Sequence, residues 1–419
     1  MLLIQKQAKY WKRMKNNKDT FCVAPWFQIQ NDNNMVKKVC CLIPNRITQD
    51  VPSQSMSSLE YLNSEPILDL KKDLANGVKS EYCKKCWNDE SNNIKSLRQK
   101  LNSIMSMQKD EHTPGWIDEY FRNKKDFTSD ILLSADVRVG NTCNYACVMC
   151  NPADSSLIYA NWMNTIEHPI VQSKLKQDPT YLQRVKSFSF KNKQYIEYLD
   201  DVLQNKHIKF LQFMGGEPFL DKLLIDKLRQ IPSTVKSKLT LMFITNASKD
   251  FSDIIDSLGD FKYVHCSVSL EGIGEVQEWA RYGSDWNAVE RHVLKAVNNP
   301  RIDVTVLHTF QTATVLGFAD LANWCKTNNV MLSTNIVYEP ACLSVKTLPE
   351  DIKTKLLTDI KANKNIIDDT EISYNDLLIK VDDLEYNPSL CNDFFEYIEW
   401  YETNKNVKKL RNIFPELYR

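Results

Sequence analysis

Three cysteines crowd one short segment, GNTCNYACVMCNP, where Cys143, Cys147 and Cys150 follow a C-x3-C-x2-C spacing. Thiolates so spaced can wrap a single metal centre. A ferredoxin run supplies a fourth cysteine close by, whereas the next one here is Cys266. An iron–sulfur cube held by this loop would therefore keep one iron open to a substrate or cosubstrate. A zinc site or ordinary buried thiols are the plainer readings, although the segment holds no histidine to complete a zinc sphere.

A loop can hold a metal centre only if rigid elements present it. The segment follows an apolar, β-branched run at residues 131–139, and similar runs occupy 208–214, 238–245, 263–270, 303–311 and 330–338. Polar stretches of helical spacing separate them, the clearest carrying Trp286, Val289, Val293 and Val297 on one stripe. The alternation predicts a parallel sheet or a partial barrel. Only 10 of the 419 residues are glycine, far below the usual figure of about 7%. Gly140, Gly215, Gly216, Gly272 and Gly274 all lie just after strand-like runs, where α/β proteins place their ligand loops.

The second run leads into Gly215, Gly216, Glu217 and Pro218. Glycines there would let the backbone approach a ligand, and a carboxylate can accept hydrogen bonds from an ammonium group. On the fourth run Ser267, Ser269 and Glu271 share one face, because strand side chains alternate. Arg281, just beyond, offers a planar fork of donors suited to a carboxylate. Thr245, Asn246, Gln311 and Tyr338 end other runs and are expected near the same site. Gly272 and Gly274 do not make a dinucleotide fingerprint, since Gln277 stands where the third glycine belongs.

A second group of thiols lies earlier: Cys22 in FCVAPW, the pair Cys40 and Cys41, and Cys83 and Cys86 in YCKKCW. Four of them would suffice for a complete cluster or for a zinc module. Cys266, Cys325, Cys342 and Cys391 stand alone and read as core residues.

The cysteine loop after the first strand and the GGEP turn after the second resemble the radical SAM enzymes, over roughly half of the chain. That resemblance implies a partial (β/α)6 TIM-like barrel. It implies a [4Fe-4S] cluster on Cys143, Cys147 and Cys150, with S-adenosylmethionine on the open iron. It further implies that Gly215, Gly216 and Glu217 meet the methionine ammonium, and Ser269 and Arg281 its carboxylate. Met149 departs from the family's usual aromatic residue before the last cysteine. Cys22, Cys40, Cys83 and Cys86, with the C-x-A-P-W phrase, Glu90, Ser96 and Arg98, resemble the twitch domain, a shortened relative of the SPASM domain. This implies a second [4Fe-4S] cluster, with Cys41 as the rival of Cys40. The domain here precedes the barrel, and its usual glycine before Cys40 is missing; Asn34 can supply similar turn geometry.

The expected architecture is α/β in three parts: a small cysteine-rich α+β domain over 1-125, the barrel over 126-341 and a helical C-terminal extension over 342-419. Its expected function is hydrogen abstraction by a 5′-deoxyadenosyl radical, as an oxidative modification of a peptide or small molecule, with the second cluster as electron acceptor. An external one-electron donor such as flavodoxin or ferredoxin is implied. The rival is a zinc-stabilised interaction protein, which leaves the GGEP turn unexplained. A conventional S-adenosylmethionine methyltransferase would need a glycine-rich loop after its first strand. The 53 basic and 53 acidic side chains leave no excess charge for nucleic acid. The longest uncharged stretch, residues 304–319, is shorter than the roughly 20 apolar residues a membrane span needs. The opening MLLIQKQAKYWKRMKNNKD has too short an apolar run for a secretory signal, so a cytoplasmic location with reduced thiols is expected.

Overall fold

The computed structural model describes residues 19–32, 34–44, 47, 51–107, 120, 121, 124, 126–165, 167–186, 194–368, 373–382 and 384–418. The opening basic segment through residue 18 lies outside them. The chain divides into two compact units, Met1–Arg138 with Lys193–Gln212, and Val139–Asn192 with Phe213–Arg419.

In the first unit β1 (Gln28–Asn31) pairs antiparallel with β2 (Lys37–Lys38) and parallel with β3 (Ser134–Arg138). The APWF segment, whose apolar and aromatic residues ahead of QIQ read in sequence as a short strand, is instead a helical turn, Ala24–Phe27. Pro25 suits the first turn of a helix, where its missing N–H would have no partner anyway. The turn also lets Trp26 and Phe27 both enter one aromatic core, with Trp26 edge-on to Phe121 at 4.9 Å. The left-handed residue of the turn before β2 is Met35, at φ 61°, rather than Asn34. Asp32 Oδ1 accepts from Asn34 N and Val36 N, and that clasp fixes the turn one residue later than composition suggests.

In the second unit β4 (Ala146–Cys147) is a short strand in the cysteine loop. The strand β5 (Phe210–Met214) is divided between the two units. Beyond it β6 (Thr240–Thr245), β7 (Tyr263–Ser269), β9 (Ile302–Phe310), β10 (Met331–Ile336) and β11 (Ile367–Asp368) pair in parallel, in that order. The remaining strand, β8 (Arg281–Tyr282), pairs with β4. Helices Phe251–Asp256, Trp286–Val297 and Phe318–Thr327 fall between successive strands, and helices Glu350–Ala362, Tyr374–Asp382 and Pro388–Lys405 follow. All six strand-like runs of the barrel region are strands. This is α/β architecture with a parallel sheet, as a partial TIM-like barrel requires, and a helical C-terminal segment. Among the described residues no helix is long and apolar enough to cross a membrane.

The two faces of β6, β7 and β9 differ. Leu241, Phe243, Val264, Cys266, Val268, Val304 and Val306 are buried on one face. On the other, Thr240, Met242, Ile244, His265, Ser267, Leu307 and Thr309 are half-exposed and Asp303 is exposed. A parallel sheet is ordinarily covered on both faces; here one face is buried and the other is half-exposed. Cys266, Cys325 and Cys342 are buried and Cys391 half-buried.

In the first unit Lys71 is fully buried, its Nζ donating to Leu62 O and Ser129 Oγ, each at 2.7 Å, above the Trp26 ring. Burial pushes its ammonium down from 10.5 to about 7, with Lys124 adding to the effect. Between those values the unfolded chain binds more protons than the folded one, so stability must rise with pH through that window. Urea denaturation at pH 7 and pH 10 should show this gain in the wild type. Lys71→Met should lose it, and an equal gain in both proteins would show that Lys71 is not its source.

Candidate functional site

The cysteine loop is held by backbone before any side chain acts. Val139 N donates to Met214 O at 2.9 Å, Gly216 N to Gly140 O at 2.9 Å, and Glu217 N to Thr142 O at 2.8 Å. The turn after β5 thus lies directly on the start of the loop. A Cβ on Gly215 would stand 2.4 Å from Gly140 O, and one on Gly216 only 2.1 Å from Thr142 O; Gly215 also has φ +131°. Glycine at these positions was expected to admit a ligand. Within the chain itself, it is the contact between two backbones that demands it.

Glu217 closes the same joint from its side chain. Its Oε1 accepts from Thr245 Oγ1 at 2.8 Å and Phe219 N at 3.2 Å, and its Oε2 from Asn246 N at 2.7 Å. Burial pushes the carboxyl up to about 7 even so. Oε2 keeps room for one more donor. Asn246 in turn reaches the loop, its Nδ2 lying 3.2 Å from Asn144 Oδ1 and 3.7 Å from Cys143 Sγ.

The middle cysteine is fixed from the other side. β4 pairs antiparallel with β8 so that Cys147 faces Arg281, and Val148 N donates to Ala280 O at 2.8 Å. Arg281 Nη2 donates to Glu271 Oε1 at 2.6 Å and Nη1 points to Cys147 Sγ at 3.8 Å, while its buried Nε has no partner among the described residues. Glu271, fully buried, also accepts from Thr309 N at 3.1 Å, and His308 Nδ1 lies 3.6 Å from it. Ser269 ends β7 and is buried, its carbonyl accepting from Gln277 Nε2. Gln311 is fully buried with neither amide atom partnered among the described residues. Tyr338 is exposed.

Burial raises all three thiols, that of Cys147 to about 12 with Arg281 opposing; Cys143 adds to the rise of Cys147, and both add to that of Cys150. As thiols they are neutral; binding iron would displace the protons. The set suits a cluster in kind, offering three sulfurs with N–H donors directed at two of them. Sequence reasoning missed the brace beneath it. In helix Pro388–Lys405, Tyr397 OH donates to Val148 O at 2.7 Å and Tyr401 OH to Trp279 O at 2.9 Å. The only signal was a pair of tyrosines four residues apart in a segment that carries no chemical motif.

Residues 137–320 match the model of the radical SAM superfamily. This stretch is a radical SAM domain. No curated protein matches the sequence. Among solved structures, native anSMEcpe with bound AdoMet is similar at 18% identity, with 57% of this chain and 63% of that one covered and a TM-score of 0.39. SuiB of Streptococcus suis bound to the precursor peptide SuiA shares 12% identity, with 80% and 64% covered and a TM-score of 0.33. The methyltransferase TsrM of Kitasatospora setae shares 12%, with 49% and 34% covered and a TM-score of 0.32. This chain spans less than two thirds of each of them. A radical SAM domain implies a [4Fe-4S] cluster and S-adenosylmethionine.

Outside the radical SAM domain, Cys22, Cys40, Cys83 and Cys86 line one cavity in the first unit, with Ala24, Leu42, Ile43, Leu97 and Leu101 around them. Cys41 is exposed and does not line it. Burial pushes the Cys22 and Cys83 thiols up to about 12 and raises that of Cys40 further, each with other cysteines of the group as a lesser cause. Glu90 accepts from Arg98 Nε at 2.9 Å and Nη2 at 2.8 Å and from Ser96 Oγ at 2.5 Å, while Arg98 Nη1 donates to Phe21 O at 2.7 Å. This planar, two-pronged clamp joins the segments that carry Cys22 and Cys86. Among the described residues no three His, Cys, Asp or Glu side chains are gathered as one metal ion would require.

Gly216→Ala should lower the midpoint of thermal unfolding by several degrees, because its Cβ meets a backbone carbonyl that cannot turn away, at about 1 to 3 kcal/mol or more. An unchanged midpoint would remove the backbone joint as the reason for glycine. In the other cavity, Cys40→Ala should reduce the bound metal of anaerobically isolated protein, and Cys41→Ala should leave it unaltered. Metal analysis giving the reverse would exchange the two residues.

Proposed function

We propose that the chain is a radical S-adenosylmethionine enzyme carrying out an oxidative modification of a peptide or small molecule. In this reading Cys143, Cys147 and Cys150 hold a [4Fe-4S] cluster, and Cys22, Cys40, Cys83 and Cys86 hold a second one that takes an electron from the substrate. Together the first cluster and S-adenosylmethionine supply a 5′-deoxyadenosyl radical for hydrogen abstraction. The observation that carries the reading is the radical SAM match over a stretch whose three-cysteine loop lies against the GGEP turn.

The residues of the chain then have distinct tasks. Gly215 and Gly216 bring the turn onto the loop, and Glu217 offers the open side of Oε2 to the methionine ammonium. Ser269 and Arg281 serve its carboxylate, with the unpartnered Nε of Arg281 as the available donor. The Glu90–Arg98 clamp keeps the second thiol set together. A peptide is the substrate we favour, on the family resemblance. A flavodoxin or ferredoxin as electron donor, a cytoplasmic location, and a division into modules at 1-125, 126-341 and 342-419 belong to the same proposal.

Anaerobically reconstituted protein should contain about eight irons per chain, the sum of two four-iron cubes. Under reduction it should convert S-adenosylmethionine to 5′-deoxyadenosine. The variant with Cys143, Cys147 and Cys150 all changed to Ala should keep about four irons and form no 5′-deoxyadenosine. Zinc without iron in both proteins would replace this reading with a structural one.

A further inference from the structure

A second set of chemistry-bearing side chains lies on the half-exposed face of the second unit's sheet. His265 and Ser267 are two apart on β7 and point the same way, and Asp303 on β9 is the registered partner of His265. His265 Nδ1 lies 2.6 Å from Asp303 Oδ2, and His265 Nε2 lies 3.2 Å from Ser267 Oγ. Asp303 is exposed and His265 keeps 18% of its side-chain surface. The carboxylate of Asp303 can only accept, so it fixes the proton of a neutral imidazole on Nδ1 and leaves the Nε2 lone pair facing the Ser267 hydroxyl.

We propose that Ser267, His265 and Asp303 form a proton-transfer site. His265 Nε2 is the base, Asp303 its positioning partner, and Ser267 the hydroxyl through which a substrate O–H, N–H or S–H gives up its proton. As the substrate's X–H bond breaks, its proton goes to Ser267 Oγ. The serine's own proton passes to His265 Nε2, and the imidazolium so formed is held by Asp303 until water at the exposed carboxylate takes the proton away. No electrons move in this step. It deepens the reading above, because a substrate oxidised by two electrons after losing one hydrogen atom must also lose one proton.

A serine hydrolase is the other chemistry this trio suggests. Ser267 lies inside a strand flanked by β6 and β9, where backbone N–H groups are taken up by the two ladders, so no paired donors are free to hold an oxyanion. The groups on neighbouring elements favour proton transfer as well. Thr240, Met242 and Ile244 on β6 and Thr305 on β9 carry no charge, and Tyr263 itself bonds to Asp303.

The test needs neither cluster turnover nor the natural substrate. p-Nitrophenyl acetate, whose leaving group makes an oxyanion pocket dispensable, should be hydrolysed by the wild type about a hundredfold faster than by His265→Gln, the lower side of the usual contribution of a positioned base. Asp303→Asn should slow it too, and should remove the downfield Nδ1–H resonance in nitrogen-15 histidine spectra while the folded envelope of the spectrum stays unchanged. Equal rates in wild type and His265→Gln, or a resonance indifferent to Asp303→Asn, would overturn the proposal. Because no S-adenosylmethionine is present, a protein that fails to cleave it yet shows these effects would lose the radical reading and keep this site.

Discussion

The contact on which the site depends is one stretch of backbone lying against another. Three hydrogen bonds join Val139, Gly216 and Glu217 to Met214, Gly140 and Thr142, and no side chain can be admitted between them. The side chain of Asn246 that reaches Cys143 is arranged from this joint. Glu217 leaves it to fasten the end of β6, Asn246 returns from there to the loop, and the loop carries its cysteines at the height so set. Two backbones in contact are a stiffer support than side chains, whose rotamers can move.

The six barrel strands were legible in the sequence because their buried faces are runs of Val, Ile, Leu and Phe between polar helices. The cysteine loop, the GGEP turn and the four early thiols were legible as spacings. APWF was not, since four apolar or aromatic residues fit a strand as well as a buried helical turn, and only the partner core distinguishes them. Met35 rather than Asn34 takes the left-handed position because Asp32 organises the turn, a contact that residue preferences do not include. Arg281 was visible as a cation near the site. Its buried partner Glu271 was visible only as a strand-face neighbour, because two residues ten apart meet only once a loop folds back.

The two thiol sets rest on different physics. In the second unit the sulfurs are spaced along one loop, and backbone pairing with β8 holds the middle one. In the first unit they come from segments more than fifty residues apart, as the separation of Cys22 from Cys83 shows. There an ion pair does the joining, Glu90 receiving both prongs of Arg98 while the same guanidinium holds Phe21 O beside Cys22. A charge pair of this kind fixes direction as well as distance, which suits thiols that must face a common space.

The tyrosines of helix Pro388–Lys405 give the chain a boundary that its recognisable motif does not have. Tyr397 bonds to Val148 across 249 positions of sequence, and the carbonyl that receives it belongs to the residue between two cysteines of the loop. The matched stretch ends at residue 320, so the part that identifies the family and the part that steadies its central loop are encoded separately. A gene fragment cut to the motif would carry the thiols without their prop. Inherited changes near the far end of the chain could then present as loss of a cofactor, with the cysteines themselves intact.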